Sequence, residues 1–88
     1  MNYSVEITKN AEKELKALHP NIALRIGKQL LALGENPRPA QSKKLKDTAF
    51  YRLRVGDYRV IYGIHDETHK VNILAVGHRR EVYRQWGH

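Results

Sequence analysis

Tyr51-Arg52-Leu53-Arg54-Val55-Gly56-Asp57-Tyr58-Arg59-Val60-Ile61-Tyr62 reads as a β-hairpin with its register written into it. Gly in the first central position of a two-residue loop suits a type II′ turn. That loop sets Val55 against Tyr58, and counting back along the ladder sets Arg54 opposite Arg59 and Arg52 opposite Ile61. Successive side chains point to opposite faces of a strand. Tyr51, Leu53, Val55, Tyr58, Val60 and Tyr62 therefore make one face, and the arginines stand on the other. Two arginines directly across a ladder destabilise a sheet by up to roughly 1 kcal/mol, a sign that a bound phosphate reverses. No Asp or Glu accompanies them on that predicted face. Plain solvation of a charged outer face is the competing account, and a loop one residue longer with a bulge shifts the register.

Upstream, residues 3–7 alternate as a short strand, after which Thr8 caps a helix running to about Leu18. Ala11, Leu15 and Leu18 share one face of it, and His19-Pro20 stops it, because the residue before proline avoids the helical region. Asn21 is read as the cap of a second helix whose Ile22, Ile26, Leu30 and Leu33 repeat at helical spacing, with Gly34 at its end. Residues 35–41, with Pro37 and Pro39, form a connector. Lys43-Lys44-Leu45-Lys46 is a basic lead-in to the hairpin, anchored by its leucine. Downstream, residues 65–69 are a polar loop, residues 71–76 a last strand, and residues 79–86 one or two turns of helix that make Arg79 and Tyr83 neighbours. The order β-α-α-β-β-β with a short C-terminal helix predicts an α+β fold. Its small sheet, an antiparallel hairpin plus further strands, carries two N-terminal helices packed on one face. The other face is open and holds the arginines. His78 and Arg79 are expected to join Arg52, Arg54 and Arg59 there.

The 88 residues contain no repeat and fit one small domain with a thin core. Without cysteine the chain has neither a disulfide framework nor thiolate metal ligands. The first residues lack the pattern of a signal peptide, and no apolar run approaches the roughly 20 residues that cross a bilayer. A cytoplasmic protein with no membrane partner is the expectation. The formal charge is +7, of which residues 1–40 hold +2 and residues 41–88 hold +5. That asymmetry points to nucleic acid or an acidic protein as partner.

The chain has no glycine-rich phosphate loop, no zinc-ligand spacing and no nucleophile elbow. His65 and His69 have the spacing of metal ligands on a helix but lie in a polar loop beside Asp66-Glu67, where solvation accounts for them. No metal site is therefore expected. Chemistry on the basic face must run on Arg, Lys, Tyr and His.

Three segments, Lys44-Leu45-Lys46, the hairpin of residues 51–62, and Val76-Gly77-His78-Arg79-Arg80-Glu81-Val82-Tyr83, resemble the RelE branch of the RelE/ParE toxin superfamily. The resemblance spans nearly the whole chain, so residues 1–88 are expected to form a single RelE-like toxin domain. It implies a toxin of a type II toxin-antitoxin pair, an endoribonuclease that enters the ribosomal A site and cuts messenger RNA without metal or other cofactor. The 2′-hydroxyl would attack the adjacent phosphate, leaving a 2′,3′-cyclic phosphate. The implied partners are a cognate antitoxin, the ribosome with its RNA and the message, and operator DNA only through the antitoxin complex. Arg59 matches the strand arginine that stabilises the phosphate, Arg79 the arginine that serves as acid or phosphate ligand, and Tyr83 the tyrosine that orients base or nucleotide. Arg54 and His78 complete the expected catalytic set. Lys43, Lys44, Lys46, Arg52, Arg80 and Arg84 are the expected RNA-binding residues.

Arginine occupies positions 52 and 54, where the best-known members carry lysines, one of them a candidate general base. Arginine stays protonated and cannot accept a proton. His78 is the first choice of base on intrinsic pKa, with Lys44, Lys46, Tyr83 and His88 also considered. The spacing from Arg79 to Tyr83 is shorter than in those members. Two other classes stay open, a ParE-like inhibitor of DNA gyrase and a basic RNA- or operator-binding module without catalysis. In each, Ile61 and Leu74 beside the arginines offer an apolar surface for an acidic segment that folds on binding.

Overall fold

Thr8 starts the first helix as its position before Lys9 requires. Its side-chain oxygen accepts from the Ala11 amide at 3.2 Å, so an otherwise orphaned donor is satisfied. The computed structural model describes residues 2–86, apart from the side chains of Tyr83 and Gln85. In chain order the elements are β1 (Ser4–Ile7), α1 (Lys9–Lys16), α2 (Pro20–Glu35), β2 (Ser42–Lys44), β3 (Phe50–Val55), β4 (Tyr58–His65), β5 (Lys70–His78) and α3 (Arg79–Trp86). They form an α+β fold on a five-stranded sheet ordered β1-β5-β4-β3-β2. β1 runs parallel to β5, and the other pairs are antiparallel.

Both boundaries of α2 differ from the sequence reading. His19, and not Asn21, caps α2, because Pro20 needs no amide partner in the first turn and the His19 ring nitrogen accepts from the Asn21 amide at 3.2 Å. The helix also runs past Gly34 to Glu35, and the Gly34 carbonyl accepts from the Tyr3 amide at 2.6 Å, which ties α2 to the entry of β1. The basic lead-in gains structure of its own: Ser42, Lys43 and Lys44 pair with Leu53, Arg52 and Tyr51 as edge strand β2.

Helices α1 and α2 cover one face of the sheet. Ala11, Ile26, Leu30 and Leu33 pack there against Leu53, Val55, Val60, Tyr62, Val71, Ile73 and Val76. The opposite face is not wholly open as expected. α3 lies across part of it, and Val82 and Trp86 pack with Leu45, Phe50, Ile61, Leu74 and Ala75. Ile61 is fully buried in that second cluster, so the proposed apolar landing surface beside the arginines is already occupied by α3. With helices on both sides, β4 is buried from Arg59 to Gly63 without the alternation of a half-exposed strand.

A bulge in β5 sets the geometry of everything downstream of it. Ile61 pairs with Ala75 and Tyr62 with Ile73, so Leu74 is one residue too many. β1 pairs only as far as Ile73, and beyond that point α1 covers the strand edge. Asn10 donates to the Leu74 carbonyl at 3.1 Å, and Glu14 accepts from the Val76 amide at 2.9 Å. These side chains replace the missing strand. Among the described residues, no helix is long and apolar enough to cross a membrane.

Candidate functional site

The hairpin has the two-residue loop. Val55 pairs with Tyr58, Arg54 with Arg59 and Arg52 with Ile61. Gly56 adopts φ +61°, the positive value that the first central position of this turn demands. β2 adds Lys43 beside Arg52 in the same row of the sheet. Lys43, Arg52, Arg54 and Arg59 thus share one face across three neighbouring strands.

They are held differently. Arg54 is exposed, whereas Arg59 is only 8% exposed and donates from Nη1 to the carbonyls of Gly56 and Tyr58, each at 2.9 Å. Both hydrogens of that nitrogen are thereby used to fix the guanidinium against the turn. Arg79 is drawn to the same end of the hairpin, since its amide donates to the Asp57 carbonyl at 2.9 Å. Arg79, Arg80 and Arg84 are exposed on α3.

Three ion pairs occur among the described residues: Glu12 with Lys16, Arg38 with Asp66, and Glu6 with Lys70. None involves Lys43, Arg52 or Arg54. Among the described residues, no group of three or more His, Cys, Asp or Glu side chains is placed to hold a metal ion.

His78 does not join the arginines. It pairs with Tyr58, its ring lies edge-on to that tyrosine at 5.7 Å, and Nδ1 accepts from the Arg80 amide at 3.3 Å. Tyr58 belongs to the helix-covered face, and His78 goes with it into a cleft of about 360 Å³ shared with Glu14, Leu18, Glu81 and Val82. The bulge is the cause. Alternation counted from Val71 and Ile73 would turn residue 78 toward the arginines, and the extra residue at Leu74 reverses the phase. Gly77 sits across from Arg59 instead. Lys44 likewise faces away, opposite Tyr51, and Lys46 lies beyond β2 in the loop before β3. The side chain of Tyr83 and the whole of His88 lie outside the described residues.

Gly77 was given no role of its own in the sequence reading and has a clear part here. A Cβ on it would stand 3.0 Å from Val82 Cγ2, so its bare backbone is what lets α3 settle beside Arg59. Also unforeseen is a polar cluster at the far end of the sheet. Arg38 forks onto both Asp66 oxygens at 2.9 and 3.2 Å, and its Nε donates to Tyr51 Oη at 3.1 Å. Tyr3 donates to Asp66 at 2.6 Å. The hydrogen bonds from Arg38 and Tyr3 hold the Asp66 carboxyl down at about 2. In the sequence these residues are scattered singly, and nothing marks them as one group.

Residues 5–83 match the family described as ParE toxin of type II toxin-antitoxin system, parDE. A toxin named RelG from Mycobacterium tuberculosis is 32% identical over 87 residues, covering 97% of this chain and all of its own. The chain belongs to the RelE/ParE toxin superfamily. Within it the likeness is to the RelE branch. The mRNA interferase toxin RelE of Escherichia coli K12 is 31% identical, with 97% of this chain and 94% of its own covered. In the crystal structure of the toxin-antitoxin complex RelBE2 from Mycobacterium tuberculosis, a chain 32% identical superposes with a TM-score of 0.82, covering 90% of this RelE-branch chain and 100% of that one.

Proposed function

We propose that this RelE-branch toxin, acting as one domain over residues 1–88, is an endoribonuclease that cuts messenger RNA in the ribosomal A site and so arrests translation in the cytoplasm. The observation that carries the reading is the row of cations Lys43, Arg52, Arg54 and Arg59 on one face of β2, β3 and β4, of which the first three enter no ion pair among the described residues. RelE relatives named as mRNA interferases support it.

In-line attack of a 2′-hydroxyl on its neighbouring phosphate builds negative charge on the non-bridging oxygens. The 2′-O–P bond forms, the P–O5′ bond breaks, and the products are a 2′,3′-cyclic phosphate and a 5′-hydroxyl. Arg54 and Arg59 would hold those oxygens, since a planar guanidinium suits phosphate better than an ammonium does. Arg79 would reach the same phosphate or the leaving oxygen from α3. Lys43, Arg52, Arg80 and Arg84 would carry the flanking backbone. Of the groups considered for the base, Lys46, Tyr83 and His88 stay, because His78 and Lys44 belong to the other face. Each preorganised donor removed from such a site typically lowers the rate 10²–10³-fold.

A cognate antitoxin of the RelB kind is the proposed partner, as in the solved complexes. Operator DNA would be reached only through that complex.

The test is induction in cells followed by mapping of transcript ends on ribosomes. Cuts confined to translated frames are expected. Arg54→Ala and Arg79→Ala, checked for folding by circular dichroism, should each relieve growth arrest. The family description as a ParE toxin supports a second reading, inhibition of DNA gyrase. Loss of supercoiling before protein synthesis, with intact transcripts, would replace the first reading with that one.

A further inference from the structure

We infer that Arg25, on the outer surface of α2, is an additional RNA phosphate contact, placed at the hairpin tip by the missing side chain of Gly56. This rests on the nuclease reading above. The position that a Cβ of Gly56 would occupy is 3.2 Å from Arg25 Nη1 and 3.5 Å from both Cζ and Nη2. The Arg25 guanidinium thus lies obliquely against the glycine, with Nη1 nearest. Arg25 is exposed and belongs to none of the three ion pairs among the described residues.

On its other side, the same glycine offers its carbonyl to Arg59 Nη1. One residue without a side chain is thus flanked by two guanidinium groups, one from the helix layer and one from the arginine face. Arg79 is bonded through its amide to the next residue, Asp57. Guanidinium groups from α2 and β4 therefore meet at one end of the hairpin, where the backbone of Arg79 at the start of α3 is also bonded. A strand of RNA with its scissile phosphate at Arg54 and Arg59 would pass this tip as it leaves the sheet. Arg25, exposed at that tip, would meet the next phosphodiester. The sequence reading gave this residue no role.

The anion is an RNA phosphodiester, supplied either by the message or by ribosomal RNA, and two binding arms distinguish them. The first uses a single-stranded RNA of about ten nucleotides, carrying one 2′-deoxy residue to prevent cutting. The second uses vacant ribosomes. Each is titrated with the full-length toxin and with Arg25→Ala, Arg25→Lys and Arg54→Ala across a range of salt. Arg25→Ala is expected to weaken binding about 5- to 10-fold and to reduce the slope of log affinity against log salt by about 0.7, the value for one single-strand phosphate contact. Arg25→Lys should restore the slope. Loss in the oligonucleotide arm assigns the contact to the message, and loss only in the ribosome arm assigns it to ribosomal RNA. An unchanged slope for Arg25→Ala in both arms, with Arg54→Ala impaired, overturns this inference and leaves the nuclease reading standing. If Arg54→Ala is unaffected as well, both fall.

Discussion

Gly56 carries three demands at once: a left-handed backbone, a carbonyl aimed at Arg59, and a surface flat enough for Arg25. An L-residue there loses about 1–2 kcal/mol to its Cβ alone, and Arg25 must also give way. Gly56→Ala is therefore expected to lower the thermal midpoint by several degrees and to reduce cleavage beyond what the lost stability explains. A melt that matches the parent protein would refute that. The turn was legible because glycine at the first central position leaves few alternatives for the loop, and with it came the pairing of Arg54 with Arg59. The placement of His78 was not. Its side-chain direction depends on one surplus residue at Leu74, and a bulge leaves no mark in a run such as Val71-Asn72-Ile73-Leu74-Ala75-Val76, whose members fit either phase.

Helix α3 is short, and its hold on the sheet depends on the pair Gly77 and Val82. With a Cβ at 3.0 Å from Val82 Cγ2, Gly77→Ala should push the helix outward, with an overpacking cost of about 1–3 kcal/mol. Trp86 reports on this directly, since it is the only tryptophan and packs edge-on to Phe50 at 5.5 Å. Its fluorescence should shift to longer wavelength in the variant; an unmoved spectrum would show that the helix absorbs the methyl group in place. Strand β5 depends comparably on Glu14, whose removal leaves the Val76 amide without its acceptor. Glu14→Ala should cost about 1–3 kcal/mol in denaturant unfolding, and Glu14→Gln distinctly less, because the amide oxygen still accepts. The two long amphipathic stretches were readable from their periodicity. Strand β2 was not, because Ser42, Lys43 and Lys44 show no apolar alternation and become a strand only through the partner that β3 supplies.

At the scale of the whole molecule, the two ends of the sheet are held by different groups. One end gathers Arg54 and Arg59 beside the hairpin turn, while the other is closed by Asp66 between Arg38 and Tyr3, joining the α2–β2 connector, the β4–β5 loop and the residue before the first strand. Asp66 has its carboxyl lowered from 3.8 to about 2, so its stabilising effect is complete above the unfolded value and disappears as pH falls through the folded one. Asp66→Asn should therefore be less stable than the parent protein at pH 6, and the gap should close between about pH 4 and pH 2. A gap that persisted at the acid end would show that the pair is not its source. The charge excess in the second half of the sequence foretold a basic surface but not this separation, because register, not composition, decides which end each residue occupies. The sheet also sorts what damage does. In a collection of escape mutants selected for survival, lesions at Lys43, Arg52 or Arg54 should yield full-length, protease-resistant protein, whereas lesions at Ile26, Leu30 or Val60 should yield none that accumulates. A cell harbouring the first kind would keep an inert decoy able to occupy its neutralising partner.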